Sequence, residues 1–165
     1  MSDPAPRPCP TPVAIRNWCS DDMDAVMAIM STAFEPTYGE AWTRSQCAGI
    51  LPMAGVSLRL AERGDGVIAG FALTRAIADE AELLLIAVDR DAQNGGIGTA
   101  LVDDFVTLAA AQGARRLHLE MRDGNKAVVL YERAGFRLVG RRRDYYRGLD
   151  GHKRDALTLA LEVRT

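Results

Sequence analysis

An apolar run, Leu83-Leu84-Leu85-Ile86-Ala87-Val88, passes directly into a glycine-rich stretch, Asp89-Arg90-Asp91-Ala92-Gln93-Asn94-Gly95-Gly96-Ile97-Gly98-Thr99. Ala100-Leu101-Val102-Asp103-Asp104-Phe105-Val106 after it reads as a helix. A strand, a glycine turn and a helix start in this order constrain the fold strongly. Glycines let the backbone come close to a ligand and aim its N–H groups outward. A helix N-terminus adds unpaired N–H groups and a partial positive charge. Together they predict a pyrophosphate site and a phosphate-bearing cofactor.

The chain of 165 residues is expected to be one domain with a substantial core. Its 48% hydrophobic and 25% charged residues are ordinary for a globular protein. A net charge of -2 and a pI of 5.7 argue against nucleic acid as a direct partner. No apolar run approaches the roughly 18–20 residues needed to span a bilayer, so no membrane partner is expected. Residues 1–12, Met1-Ser2-Asp3-Pro4-Ala5-Pro6-Arg7-Pro8-Cys9-Pro10-Thr11-Pro12, read as a disordered, polyproline-like tail and not as a secretory signal. The folded domain is expected over residues 13–165. Cys9, Cys19 and Cys47 have no CxxC spacing and no histidine cluster, so no metal site is expected. The odd cysteine count fits a reducing cytoplasm.

Val13 to Asn17 reads as a first strand. Ser20-Asp21-Asp22 caps a helix carrying Met23, Val26, Met27 and Met30 at helical spacing. A second helix is expected over Trp42 to Ile50, stopping near Pro52. Val56 to Glu62 and Val67 to Ala76 read as strands joined at Arg63-Gly64-Asp65-Gly66, a hairpin turn signal. Glu80 to Val88 is the third strand of this run, and its continuous apolar stretch suggests burial on both faces. The helix after the glycine turn runs to about Gln112, with Ile97, Leu101, Phe105 and Leu108 on one face and Gly113 as its stop. Arg116 to Met121 alternates Leu117 and Leu119 against His118 and Glu120. A short helix over Lys126 to Ala134 and strands over Phe136 to Arg143 and Ala156 to Val163 complete the chain.

A dinucleotide fold is one reading of the glycine turn. Its fingerprint requires G-x-G-x-x-G/A in the turn after the strand that opens the sheet, with an acidic residue about 20 residues on. Here leucine stands at the third required position, Leu101, and several strands precede the turn. The turn instead matches Q/R-x-x-G-x-G/A, as Gln93-x-x-Gly96-x-Gly98. Leu119-Glu120-Met121-Arg122, Asn125, Leu130-Tyr131, Ala134-Gly135-Phe136, Gly140-Arg141-Arg142-Arg143-Asp144-Tyr145-Tyr146 and Asp155-Ala156-Leu157 follow in order. In these motifs the chain resembles the GCN5-related N-acetyltransferases (GNAT), and within them the bacterial ribosomal-protein-alanine N-acetyltransferases (the RimI type). The resemblance covers roughly Val13 to Val163.

The resemblance implies an α/β (α+β) fold: a mixed, mostly antiparallel central sheet of about seven strands with four helices. The third and fourth strands of the run part in a V at the cofactor, acetyl-CoA. Backbone groups of Ile86, Ala87 and Val88 would pair with its pantetheine arm. Gln93, Asn94, Gly95, Gly96, Ile97, Gly98 and Thr99 would cradle the pyrophosphate, and Asn125 would touch the cofactor. The family often has arginine where this chain has Asn94. The stretch from Asn125 to Tyr131 is one residue shorter than is usual in the family. Either the loop is shortened and Tyr131 keeps its place, or Asn125 is displaced and Gly124 stands where it should be.

Acetyl transfer to nitrogen needs a neutral amine. An α-amine with a pKa of about 7.7–8.0 is neutral in about one molecule in ten at pH 7, and a lysine amine at about 10.4 in about one in several thousand. An α-amine acceptor therefore asks less of the base. Direct attack needs no enzyme nucleophile, in keeping with the lack of a Cys–His arrangement. Glu120, at a strand end, is the candidate general base and Tyr131 the candidate acid for the leaving thiolate. The plain alternatives are a surface glutamate paired with an arginine and a core tyrosine.

Tyr38, Tyr145 and Tyr146 are candidates for the acceptor wall. Glu82, with Asp79 and Glu80, is a candidate for recognising a protonated amine. Arg133, Arg137, Arg141, Arg142, Arg143 and Arg147 read equally as a solvated strand edge or as a charged surface for cofactor phosphate or an acidic partner. The expected activity is acetylation of a protein N-terminal α-amine, with a small-subunit ribosomal protein starting in alanine as acceptor. Acetylation of a small-molecule amine and a non-enzymatic acyl-CoA-binding module are the alternatives. A monomer or weak dimer is expected.

Overall fold

A computed structural model describes residues 12–164. The tail expected over residues 1–12, with Cys9, therefore lies outside the described residues except for Pro12.

The strands are β1 (Val13–Asn17), β2 (Val56–Arg63), β3 (Ile68–Ile77), β4 (Glu80–Val88), β5 (Arg116–Arg122), β6 (Arg137–Arg147) and β7 (Lys153–Glu162). The α-helices are α1 (Met23–Ala33), α2 (Arg44–Ile50), α3 (Ile97–Ala111) and α4 (Val128–Arg133). The strands form one sheet in the order β1-β2-β3-β4-β5-β7-β6. Every neighbouring pair is antiparallel except β4 with β5. A parallel pair needs a crossover, and α3 supplies it. The mixed, mostly antiparallel sheet with four helices is the architecture expected from the sequence.

Each face of the sheet carries its own core. Leu101, Val102 and Phe105 of α3 pack with Leu117, Leu119 and Phe136 on one face. Val26, Ile29 and Met30 of α1 pack with Cys47 of α2 and Leu58, Leu60, Phe71 and Leu73 on the other. Burying each such large side chain contributes about 1.5–3 kcal/mol. The expected stripe on α3 is corrected in one place: Val102 and Ala109 are buried, whereas Leu108 is only partly so.

Some boundaries also differ. Helix α2 starts at Arg44, because Thr43 caps it: Gln46 N–H donates to Thr43 Oγ1 at 3.2 Å and Thr43 N–H to Gln46 Oε1 at 2.8 Å. The last hairpin is longer than expected at its turn end. Strand β6 is an edge strand exposed along most of its length, so no apolar alternation announces it. Its register shifts between Arg142 and Tyr146, where Asp144 takes φ 53° and its N–H donates to Asp155 Oδ1 at 3.0 Å.

One irregularity shapes the centre of the molecule. The β3–β4 register passes from Leu73↔Leu85 to Thr74↔Leu83, leaving Leu84 as a β-bulge. Side chains alternate with period two, so one extra residue exchanges the faces of everything after it. Pairing of β4 with β5 stops at Leu83↔Leu119. Strand β5 carries on beside β7 as far as Arg122↔Ala156. The sheet therefore opens between β4 and β5 immediately beyond Leu83. No helix among the described residues is long and apolar enough to cross a membrane.

Candidate active site

The opening leads into a cleft of about 1020 Å³. One wall is Leu84 to Val88 of β4, whose other edge is occupied by β3 through Ala72↔Ile86, Phe71↔Ala87 and Gly70↔Val88. The edge turned toward β5 has no strand partner here, so its N–H and C=O groups are open to a ligand.

At the end of β4 the chain folds into the glycine turn. Asp89 accepts the N–H of Asp91 at 2.9 Å and starts a short 3-10 turn over Arg90–Ala92. Gln93 Nε2 donates back to the Val88 carbonyl at 3.2 Å, bracing the turn against the strand. Asn94 and Gly96 take φ of 62° and 86°, a left-handed backbone in which glycine is unstrained. Gly96 precedes α3 and offers no side-chain cap, so the first N–H groups of that helix are left for another acceptor. A Cβ on Gly98 would sit 3.2 Å from Leu130 Cδ2, so α3 and α4 approach closely at that glycine. Gln93, Asn94, Gly96, Ile97, Gly98 and Thr99 line the cleft and Gly95 does not. The cations of Arg90, Lys126 and Arg133 line it as well. Open N–H groups, a close backbone and nearby cations are a donor set that fits a diphosphate.

Both Gly124 and Asn125 line the cleft. Asn125 Oδ1 accepts the N–H of Ala127 at 2.9 Å, which shapes the short loop into α4. Helix α4 then carries Tyr131 into the cleft wall, 5% exposed and packed edge-on against Phe136 with ring centroids 6.3 Å apart. Burial, and secondarily the charge of Glu40, push the Tyr131 phenol above its ordinary value.

Across the cleft, His118, Glu120 and Arg122 share one face of β5. Glu120 lines the cleft, and Arg142 Nε lies 3.5 Å from its Oε2. It is thus both a cleft carboxylate and an arginine-paired strand residue. Tyr146 of β6 reaches the same region. Burial, and then the charges of Glu120 and Glu40, push its phenol up to about 12.

The loop between α1 and α2 closes this end. Arg122 Nε donates to Glu40 Oε1 at 3.2 Å, with side chains 11% and 16% exposed. The Arg122 guanidinium lies 3.6 Å from the centroid of the Tyr38 ring, and that of Arg154 lies 4.8 Å from it. The Leu149 N–H donates to the Thr37 carbonyl at 2.8 Å, tying the β6–β7 turn to the loop. Burial raises the Glu40 carboxyl above its ordinary value, with Arg122 opposing.

Of the residues proposed to meet the acceptor, Tyr38 lines the cleft, while Glu82 and Tyr145 do not. Glu82 Oε2 lies 3.9 Å from His118 Nε2 on the neighbouring strand. Tyr145 is 52% exposed and meets Tyr146 edge-on, with centroids 5.1 Å apart. Two of the arginine cluster are engaged elsewhere. Arg141 bonds Asp123 at 2.8 Å and Asp155 at 2.6 Å, and Arg137 donates to the carbonyls of Glu132 and Phe136. Only Arg133 of that cluster reaches the cleft lining.

Sequence reasoning missed Glu40 and gave no role to Arg122. The alternation of β5 already puts Arg122 on the Glu120 face, so that signal was present. Glu40 sits in a loop that no periodicity predicts. Among the described residues, no group of His, Cys, Asp and Glu side chains is arranged to hold a metal ion.

Residues 23–136 match the acetyltransferase (GNAT) family. The chain is 41% identical over 100 residues to the [ribosomal protein bS18]-alanine N-acetyltransferase of Escherichia coli K12, covering 60% of this chain and 67% of that protein. It is 35% identical over 147 residues to the enzyme of the same name from Salmonella typhimurium, covering 83% and 97%. The crystal structure of the ribosomal-protein-S18-alanine N-acetyltransferase from Escherichia coli superposes with a TM-score of 0.83 at 31% identity, covering 93% of this chain and 95% of that one.

Proposed function

The chain belongs to the acetyltransferase (GNAT) family, and we propose that it transfers the acetyl group of acetyl-CoA to the N-terminal α-amine of a protein. The acceptor in this reading is the N-terminal alanine of a small-subunit ribosomal protein. Relatives named for ribosomal protein bS18 support that choice. The observation that carries the reading is the two-ended cleft. Its glycine turn, with Arg90, Lys126 and Arg133, suits a phosphate-bearing ligand, and its far end gathers Glu40, Glu120, Tyr131 and Tyr146.

Acetyl-CoA supplies an acyl group activated as a thioester. The open edge of Ile86, Ala87 and Val88 offers backbone donors and acceptors to its amide-bearing arm, and Gln93, Asn94, Gly96, Ile97, Gly98 and Thr99 with Asn125 hold its anionic part. Glu120 takes the proton that the amine must lose, directly or through water. An α-amine asks less of this base than a lysine amine would, since about one in ten is already neutral at pH 7. The phenol of Tyr131 is protonated across the working pH range, because burial raises it. It donates a hydrogen bond to the sulfur as negative charge builds there. Tyr38 and Tyr146 wall the acceptor.

Thiol release from acetyl-CoA, measured against a panel of acceptors, tests the reading. Turnover of a short peptide with N-terminal alanine, well above that of free amino acids and polyamines, supports it. Inert peptides beside a fast small amine would move the assignment to a small-molecule acceptor. Saturable CoA binding with no transfer to any acceptor would leave a binding module.

A further inference from the structure

Glu40 is a mostly buried carboxylate that the scheme above does not use. It lines the same cleft as Glu120. Tyr131 and Tyr146 line it as well, and the charge of Glu40 adds to the burial that raises both phenols. Glu40 Oε1 accepts from Arg122 Nε at 3.2 Å. Among the described residues none donates to Oε2. Arg122 is itself divided: it stacks on Tyr38 and donates through Nη1 to the Asp123 carbonyl at 3.3 Å. Glu40 therefore lines the cleft with one carboxylate oxygen free of a protein donor.

The chemistry of the acceptor supplies the need. At neutral pH about nine α-amines in ten arrive as ammonium. The base can remove a proton only after that cation has been held in place. Glu82, the sequence candidate for this task, lies outside the cleft. We propose that Glu40 binds the acceptor's terminal ammonium and thereby selects a free, charged chain terminus, presenting it to Glu120. The assignment rests on the reading that the acceptor is a peptide α-amine. Tyr38 and Arg122 hold the loop that carries Glu40, and the bond from Leu149 to Thr37 fixes that loop to the β6–β7 turn. The ammonium site is thus built from β5, the α1–α2 loop and the last hairpin.

Glu40→Gln separates charge from scaffolding. The amide oxygen still accepts from Arg122 Nε, and the volume is nearly unchanged. Calorimetry on the CoA-loaded protein, with an N-terminal alanine peptide and with its N-acetylated product, reads the difference. Loss of one charged hydrogen bond predicts a free-terminus peptide about 10- to 100-fold weaker in the variant, and an acetylated peptide bound as before. Glu40→Asp, which retains the charge, should recover part of the discrimination. Equal weakening of both peptides would mean that Glu40 only props the loop, and would overturn the inference. Full retention of free-peptide binding by Glu40→Gln would overturn it while leaving the peptide-acceptor reading intact. A wild-type protein that binds neither peptide would overturn both.

Discussion

Leu83 and Leu85, neighbours but one on β4, bury their side chains in the two different cores on opposite faces of the sheet. The bulge at Leu84 between them exchanges the faces, and the sheet opens at the same point. Truncation of either leucine to alanine should cost about 2–5 kcal/mol. Because the two cores are separate, the costs should add to within about 0.5 kcal/mol in the double variant. Denaturant unfolding of the four proteins measures this. A coupling well above that margin would mean the cores act as one.

The glycine turn makes a sharper functional prediction. Gly96 holds φ 86°, where a side chain costs about 1–2 kcal/mol. Gly96→Ala should weaken CoA about tenfold by titration. A Cβ at Gly98 meets only the ends of side chains, Leu130 Cδ2 at 3.2 Å and Val88 Cγ2 at 3.8 Å. Gly98→Ala should therefore be the milder change. The reverse order would show that contact with α4, and not the turn's backbone, governs the affinity.

Removing the two proposed catalytic groups should leave the cofactor site alone. Glu120→Gln and Tyr131→Phe should each lower kcat by about 10²–10⁴, with CoA affinity within a factor of two of wild type. Steady-state kinetics with a parallel CoA titration reads both numbers. Undiminished turnover in both variants would remove these roles.

Stability at low pH should depend on Asp22. Its carboxylate accepts from Arg16 Nη1 and Nη2 at 2.9 Å each and from the Cys19 N–H at 2.7 Å. The Arg16 hydrogen bonds foremost hold it well below the usual carboxylate range. Folded, the group binds fewer protons than it does unfolded. Its contribution is therefore complete above the ordinary value of about 3.9 and is lost as pH falls from there through the depressed folded value. Asp22→Asn should cost about 1.5–3 kcal/mol at pH 7, on the order of 5 °C in Tm. The gap to wild type should narrow as the pH is lowered below about 4. A gap that stays constant with pH would show that the charge of Asp22 is not what stabilises.

Much of this architecture is legible in the sequence. The apolar periodicity of α1 and α3 and the alternation of β5 are local signals, and they placed those elements closely. Gln93-x-x-Gly96-x-Gly98 announced the turn because its backbone geometry demands glycine. Leu84 could not be read as a bulge, since its neighbours are equally apolar and only cross-strand pairing reveals the slip. The outer reach of β6 was hidden for the opposite reason, as an exposed edge has no apolar pattern. Glu40 is brought to the cleft by a loop whose path depends on Tyr38, Arg122 and Leu149, contacts distant in sequence. Glu82 looked equivalent on composition alone, but it faces His118 and not the cleft.

The central claim is an α-amine acetyltransferase, and one comparison tests it most directly. Thiol release from acetyl-CoA is followed with a peptide bearing a free N-terminal alanine and no lysine. The second arm is a peptide blocked at its N-terminus but carrying a lysine. Turnover with the free terminus and none with the blocked peptide is the predicted result. Turnover confined to the lysine peptide, or absent with both, would contradict it.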